Sequence, residues 1–114
     1  RDASFAGTGK ETRDWLHVED AAQLLIAAAE QARPDCLVVN GGTGIATTNA
    51  DLLQTLTVHV APGLTPTFSG QSRPGDPQHY QADLGASAEL GWRPQRALAE
   101  EIAAYADWYR RDTP

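Results

Sequence analysis

Charged residues at two places in the sequence could bind an anionic ligand. Arg13 precedes a short apolar run, and Arg73 opens the segment "RPGD" at 73–76. A type II turn favours proline at its second position and glycine at its third. Such a turn brings its first and fourth Cα atoms within about 7 Å of each other. Arg73 and Asp76 can therefore serve one ligand, because a guanidinium matches a phosphate bidentately and a carboxylate accepts from a sugar diol. With Arg13, the turn could form a two-arginine clamp for a diphosphate.

These residues also have simpler explanations. Arg73 and Asp76 could form an exposed ion pair on a surface turn, and such pairs contribute little to stability. Arg13 could instead cap the C-terminus of a helix elsewhere in the fold, or it could pair with the neighbouring Asp14. The spacing of the residues leaves both interpretations open.

Two glycine-rich stretches lack the spacing of known phosphate-binding loops. "GTGKE" at 7–11 has one residue between its glycines and a glutamate after its lysine, whereas a Walker A loop has four residues and then Ser or Thr. "GGTG" at 41–44 lacks the G-x-G-x-x-G order, and residues 61–69 lack the acidic residue that a dinucleotide-binding fold places there. We interpret residues 41–44 as a tight turn that needs a positive φ angle.

The remaining reactive residue types form no catalytic or metal-binding pattern. The three histidines have no metal-ligand spacing with the single cysteine, Cys36, and no Ser-His-Asp or Cys-His order is legible. We therefore predict neither a metal site nor a catalytic residue in this chain. The net charge of −6 argues against nucleic acid or an anionic membrane as a partner.

Length and composition favour one small globular domain. The 114 residues are 41% apolar and 21% charged, and no apolar run approaches the roughly 18 residues of a membrane span. A lone cysteine cannot form an internal disulfide, so a reducing cytoplasm is the simplest compartment. The first residue is Arg1 rather than Met, and we expect a piece processed or excised from a longer protein.

The hydrophobic pattern predicts an α/β fold based on a small βαβ unit. Strands at 14–18 and 36–40 would flank a helix at 20–32 with Asp20 as its N-cap. The two strands should be parallel, with a right-handed crossover. Further elements are predicted as helices from Thr48 to Pro62, from Asp83 to Leu90 and over 97–111, and as strands around 4–6 and 65–70.

Several motifs occur together in an order typical of one enzyme family. They are "TRDWLHVEDAA", "VVNGGTG", "RPGDPQHYQAD" and "LGWRP", at 12–22, 38–44, 73–83 and 90–94. The sequence is similar to the C-terminal, substrate-binding part of the extended short-chain dehydrogenases/reductases, and most similar to the NAD-dependent nucleotide-sugar epimerases and 4,6-dehydratases. The resemblance runs through nearly the whole chain. It implies that residues 1–114 are one region that grips a nucleotide-diphospho sugar.

The resemblance also implies roles for individual residues. Arg13 would contact the substrate diphosphate, Trp15 would stand beside the nucleotide, Arg73 would reach the phosphates and Asp76 the ribose hydroxyls. Asn40 would lie near the substrate cleft at the end of its strand. NAD would be bound by an N-terminal Rossmann domain outside this chain, because neither that domain's glycine-rich loop nor the catalytic Tyr-x-x-x-Lys pair occurs in the sequence.

Two functions therefore remain open. The first is the substrate-binding portion of an enzyme that transiently oxidises a hexose with NAD and then epimerises or dehydrates it, with no turnover by this portion alone. The second is a non-catalytic interaction or dimerisation module, because apolar surface left bare by an absent domain tends to associate. A homodimer is then a possible assembly.

Overall fold

The computed structural model describes residues 3–112, which form helices connected by very short strands. The strands are β1 (Ser4–Phe5), β2 (Thr12–Arg13), β3 (Thr47–Thr48) and β4 (Thr67–Phe68), and the helices are α1 (Val18–Glu30), α2 (Asn49–Val60), α3 (Gly85–Glu89) and α4 (Leu98–Asp112). The predicted α/β class is confirmed. The strands predicted around 4–6 and 65–70 are present in shorter form.

The strands pair in two separate ladders that join distant parts of the chain. β1 runs parallel to β4, and β2 runs antiparallel to β3 with Thr12 opposite Thr48. An isolated bridge also connects Thr12 to His79. The segment that carries Arg13 is therefore held between the start of α2 and the stretch that follows the "RPGD" turn.

The structure corrects the positions of the strands expected in the βαβ unit. The extended segment before α1 is paired at Thr12–Arg13 rather than at 14–18, and its partner is the antiparallel β3. Residues 36–40 lie outside the described strands, and Val38 is 82% exposed. A strand needs a neighbour for its N–H and C=O groups, and no described residue pairs with this apolar run.

Helix α1 begins earlier than predicted, because a histidine caps it. The Nδ1 atom of His17 accepts a hydrogen bond from the Glu19 N–H at 3.1 Å. Asp20 is not the N-cap; it lies in the first turn and is only 4% exposed. Its carboxylate accepts hydrogen bonds at 3.0–3.1 Å from the N–H groups of Gln95 and Arg96. Asp20 thus fastens the segment before α4 to α1.

Helices α2 and α4 follow the predicted signals. Thr48 caps α2 by accepting from the Asp51 N–H at 3.0 Å, and its hydroxyl donates to the Asp51 carboxylate at 2.7 Å. The helix ends before Pro62, as predicted. Helix α3 is shorter than predicted, and its N-cap is Leu84 rather than Asp83; the Asp83 carboxylate accepts from the Gly85 N–H at 2.8 Å just before it. Helix α4 differs from its predicted bounds by a single residue at each end.

The apolar core is small, and much apolar surface stays exposed. Leu24, Trp92 and Ala106 are buried, and α2 packs against α4. Val18 and Leu25 on α1 are 74% and 72% exposed. Within residues 3–112, each helix is too short or too polar to span a lipid bilayer.

Candidate functional site

Arg13 and Arg73 lie in the wall of one polar cavity of about 250 Å³. The cavity lies between the loop before β2 and the "RPGD" turn, and Asp76 also contributes to its wall. Its other lining residues are mostly polar or small: Ala6, Gly7, Glu11, Asn49, Gln71, Ser72 and Gln78. The structure therefore brings together both arginines of the expected clamp and the carboxylate of the turn.

The "RPGD" segment forms the turn that its sequence predicts. The Asp76 N–H donates to the Arg73 carbonyl at 3.1 Å, and Gly75 has a φ angle of +88°. In the part of the chain that is described, neither Arg73 nor Asp76 takes part in an ion pair. Both side chains are exposed and remain available to a ligand.

Arg13 is oriented by its own backbone and by an aromatic ring. One of its guanidinium nitrogens, Nη1, donates to the Thr12 carbonyl at 2.7 Å. The guanidinium carbon also lies 5.3 Å from the ring centre of Tyr80, within the range of a cation–π interaction. A guanidinium has five N–H donors, so these contacts hold Arg13 in place while leaving donors for a ligand.

Asp14 does not pair with Arg13, because its carboxylate binds backbone groups instead. It accepts hydrogen bonds from the N–H and hydroxyl of Thr43, both at 2.6 Å, from the Gly44 N–H at 2.9 Å and from the Ala82 N–H at 3.1 Å. Burial raises the pKa of Asp14, but these hydrogen bonds together lower it below its usual value. Asp14 thus joins three distant segments next to Arg13.

The carboxylate of Glu11 folds back onto the glycine-rich loop that precedes it. Its Oε1 atom accepts from the Thr8 N–H at 2.8 Å and from the Thr8 hydroxyl at 2.9 Å. Hydrogen bonding to the Thr8 N–H and to neighbouring backbone N–H groups lowers the pKa of Glu11 to about 2. Position 9 requires glycine for two reasons: a Cβ atom there would lie 2.8 Å from the Phe68 ring, and the φ angle of Gly9 is +79°.

The glycine-rich turn at 41–44 is shaped by Asp14. Gly44 has a φ angle of +74°, which confirms the predicted positive φ. At Gly42 the requirement is space, because a Cβ would lie 2.5 Å from the Ala82 Cβ and 2.6 Å from Asp14 Oδ2. The N–H groups that a dinucleotide phosphate would need donate to Asp14 instead. These residues therefore do not fit a nicotinamide cofactor.

Trp15 and Asn40 lie outside the cavity that contains the two arginines. Trp15 lines an apolar cavity of about 330 Å³ between α2 and α4. Asn40 lines a third cavity, together with Tyr80 and the other side of Arg13. The structure thus places Asn40 near Arg13 and Trp15 in a different environment, and their contact with a substrate stays a prediction.

No metal-binding arrangement is found between residues 3 and 112. No group of three or more His, Cys, Asp or Glu side chains is close enough there to hold a metal ion.

Comparisons with known proteins place this chain beside one group of enzymes. The model of the NAD dependent epimerase/dehydratase family matches residues 2–41. A dTDP-glucose 4,6-dehydratase of Streptomyces antibioticus is 37% identical over 106 residues, which are 91% of this chain and 31% of the relative. Over most of its length the chain is therefore similar to one part of NAD-dependent epimerases and dehydratases. A second relative, the dTDP-L-rhamnose 4-epimerase of Burkholderia thailandensis, is 31% identical over 106 residues, with 91% of this chain and 29% of the relative covered.

Solved structures of larger proteins have the same fold over this region. The UDP-glucose 4-epimerase of Thermotoga maritima, solved with UDP-glucose, superposes with a TM-score of 0.87 at 26% identity, covering 100% of this chain and 36% of that one. MoeE5 in complex with UDP-glucuronic acid and NAD superposes with a TM-score of 0.79 at 30% identity, covering 97% and 37%. The chain therefore spans about a third of the length of the relatives it matches.

Sequence reasoning missed two residues at this site, one in the wall of the arginine-lined cavity and one against Arg13. Glu11 and Tyr80 show no periodicity or motif that marks them, because their importance comes from which distant groups they meet. For Glu11 there was one signal: an acid two residues after a glycine pair with positive φ angles is well placed to accept from the N–H groups of their loop. For Tyr80, no signal in the sequence predicts its contact with Arg13.

Proposed function

We propose that this chain is the substrate-binding portion of an NAD-dependent nucleotide-sugar epimerase or 4,6-dehydratase, and that it grips the nucleoside diphosphate of the substrate. The observation that carries this proposal is that Arg13 and Arg73, remote along the chain, line one cavity. Solved structures with the same fold include an epimerase with UDP-glucose, which supports the ligand class.

Each charged group of the cavity has a role in this proposal. The guanidinium groups of Arg13 and Arg73 donate to phosphate oxygens, with the fork geometry that a phosphate matches. The carboxylate of Asp76 accepts hydrogen bonds from the ribose hydroxyls. A diphosphate fixed in this way orients the hexose for reaction, and correct orientation lowers the barrier of the chemical step.

The size of the cavity suits part of a nucleotide sugar. Its volume of about 250 Å³ is below the roughly 300–1,000 Å³ of sites that enclose a whole small-molecule ligand. We assign the diphosphate and ribose to this cavity. Asn40 would face the substrate from the adjoining cavity that shares Arg13, and Trp15 would stand beside the nucleotide.

NAD belongs to another part of the parent protein in this proposal. NAD would supply the transient oxidation of the hexose, and an N-terminal Rossmann domain would bind it. This assignment is supported by the Asp14 carboxylate, which already accepts from the N–H groups of the turn at 41–44. The chain alone would then show no turnover. A reducing cytoplasm stays our proposal for the compartment, since the chain has one cysteine.

The proposal is tested by titrating UDP and dTDP into the isotope-labelled 114-residue chain and following its backbone amide signals. Signals of Arg73 and Asp76 should move. The variant Arg73→Ala should bind roughly tenfold more weakly or worse, because it removes hydrogen bonds to a charged group. Arg93→Ala is the matched control, since Arg93 is an exposed arginine outside the cavity. Unmoved signals at Arg73 and Asp76 would refute the proposal.

A second candidate function is an interaction or dimerisation module derived from the same family. It is favoured by the apolar side chains of Val18, Leu25 and Val38, which are 74%, 72% and 82% exposed. Large exposed apolar surfaces mark interaction sites. Sedimentation separates the two candidates, because a tight homodimer without nucleotide affinity supports this one and a nucleotide-binding monomer supports the first.

A further inference from the structure

The cavity that contains the two arginines has no net charge from its ionisable residues. Arg13 and Arg73 contribute two positive charges, and Glu11 and Asp76 contribute two negative ones. Because these charges cancel, attraction of an anion depends on where it sits relative to each group. Every further phosphate on a ligand adds attraction to the arginines and repulsion from the carboxylates.

Glu11 is the buried acid of this wall, whereas Asp76 is exposed. Glu11 is only 7% exposed, and a Cβ at Gly7 would lie 3.2 Å from both carboxylate oxygens. Oε1 is bonded to Thr8, whereas Oε2 is buried without a hydrogen-bond partner among the described residues. No described lysine, arginine or histidine forms an ion pair with it.

The charge of Glu11 is also permanent under ordinary conditions. Backbone N–H groups of its own loop, above all that of Thr8, lower its pKa to about 2. The carboxylate is therefore ionised across the neutral pH range. Its field at the cavity is screened less than that of an exposed acid, because buried charges are less accessible to water and salt.

We propose that Glu11 is a specificity residue that limits how much phosphate charge the cavity accepts, so that nucleoside diphosphates and their sugar esters bind in preference to nucleoside triphosphates. This inference rests on the proposed function, since it takes the cavity as the diphosphate site. Arg13 and Arg73 supply affinity for phosphate, and Glu11 opposes the additional negative charge of a third phosphate.

The test compares the affinities of UDP and UTP for the 114-residue chain by calorimetry. The wild type should prefer UDP. Glu11→Gln keeps an oxygen for the Thr8 N–H and removes the charge, so the preference should fall roughly three- to tenfold, mainly through tighter UTP binding. Glu30→Gln is the matched control, because it removes the same charge at an exposed position outside the cavity and should leave the preference unchanged.

A second variant guards against misfolding of Glu11→Gln. Ser72→Lys adds a positive charge at an exposed position in the same wall without touching Glu11. Ser72→Lys should therefore also weaken the preference for UDP over UTP. In the wild type, this preference should shrink as the salt concentration is raised. The shift in Ser72→Lys shows that the UDP-to-UTP ratio responds to charge in this cavity. The change in Glu11→Gln, with Glu30→Gln unchanged, assigns that response to Glu11.

The outcomes distinguish this inference from the proposed function. If the wild type binds UDP without preferring it to UTP, or if Glu11→Gln keeps the wild-type UDP-to-UTP ratio, the role of Glu11 is refuted while the proposed function stands. If the wild type binds neither nucleotide, the proposed function fails and the role of Glu11 fails with it.

Discussion

Replacing Asp14 by asparagine should destabilise the chain by roughly 2–4 kcal/mol. Oδ1 of Asp14 accepts both hydrogen bonds from Thr43, and Oδ2 accepts those from the Gly44 and Ala82 N–H groups. The side-chain oxygen of an asparagine can replace one of these two carboxylate oxygens. The asparagine NH₂ group then occupies the position of the other oxygen, where it faces N–H donors and cannot accept from them.

The magnitude follows from the two bonds that the NH₂ group cannot make. A hydrogen bond to a charged group contributes about 1.5–3 kcal/mol, and Asp14 Oδ2 makes two of them. Two such bonds sum to about 3–6 kcal/mol. Asp14 is only partly buried, so water can satisfy some of the freed N–H groups, which reduces the expected cost to roughly 2–4 kcal/mol.

The effect of Asp14→Asn should depend on pH in a defined direction. The pKa of Asp14 in the folded chain lies below the unfolded value of 3.8. A carboxyl with a lowered folded pKa contributes stability that is complete above the unfolded pKa and is lost as the pH falls through the folded pKa. The stability difference between wild type and variant should therefore be constant near neutral pH and shrink at pH values below 3.8.

Urea unfolding followed by tryptophan fluorescence measures this difference at neutral and acid pH. Asp35→Asn is the matched control, because the Asp35 side chain is 70% exposed and only a 3.6 Å ion pair would be lost; its effect should stay within about 0.5 kcal/mol. A cost for Asp14→Asn below about 0.5 kcal/mol, or a cost that does not shrink at low pH, would refute the reasoning.

Two further substitutions test the surroundings of Arg13. Gly42→Ala should lower the melting temperature through a loss of roughly 1–3 kcal/mol, because its Cβ would lie 2.5 Å from Ala82 and 2.6 Å from Asp14; unchanged thermal unfolding would contradict the close packing of this turn. Tyr80→Leu removes the ring 5.3 Å from the Arg13 guanidinium and should weaken UDP binding roughly two- to fivefold, measured by calorimetry. Wild-type affinity in that variant would show that the ring does not position Arg13.

The elements that could be predicted from the sequence are those with local signals. Thr48 followed by Asp51 marks the start of α2, and the capping contacts form as the pattern indicates. The turn at 73–76 follows equally from its proline and glycine. The strand predicted at 36–40 is wrong, because strand formation depends on a pairing partner that sequence periodicity does not specify.

The candidate site was predictable only where local chemistry and family resemblance agreed. Arg73 and Asp76 share a turn, so their proximity follows from local geometry, and the resemblance added Arg13. The partners of Glu11, Asp14 and Asp20 were not predictable. Each of these carboxylates binds N–H groups whose position depends on the complete fold, or on the loop conformation in the case of Glu11.

The carboxylates of Glu11 and Asp14 act as anions that are permanently tethered to the two glycine-rich loops. A tethered group competes at an effective concentration that free phosphate in solution does not reach. Both loops should therefore keep their shape when no nucleotide is present. Arg13 sits between them in the chain, so its backbone is already ordered when a ligand arrives, and less binding energy is lost in arranging the cavity wall.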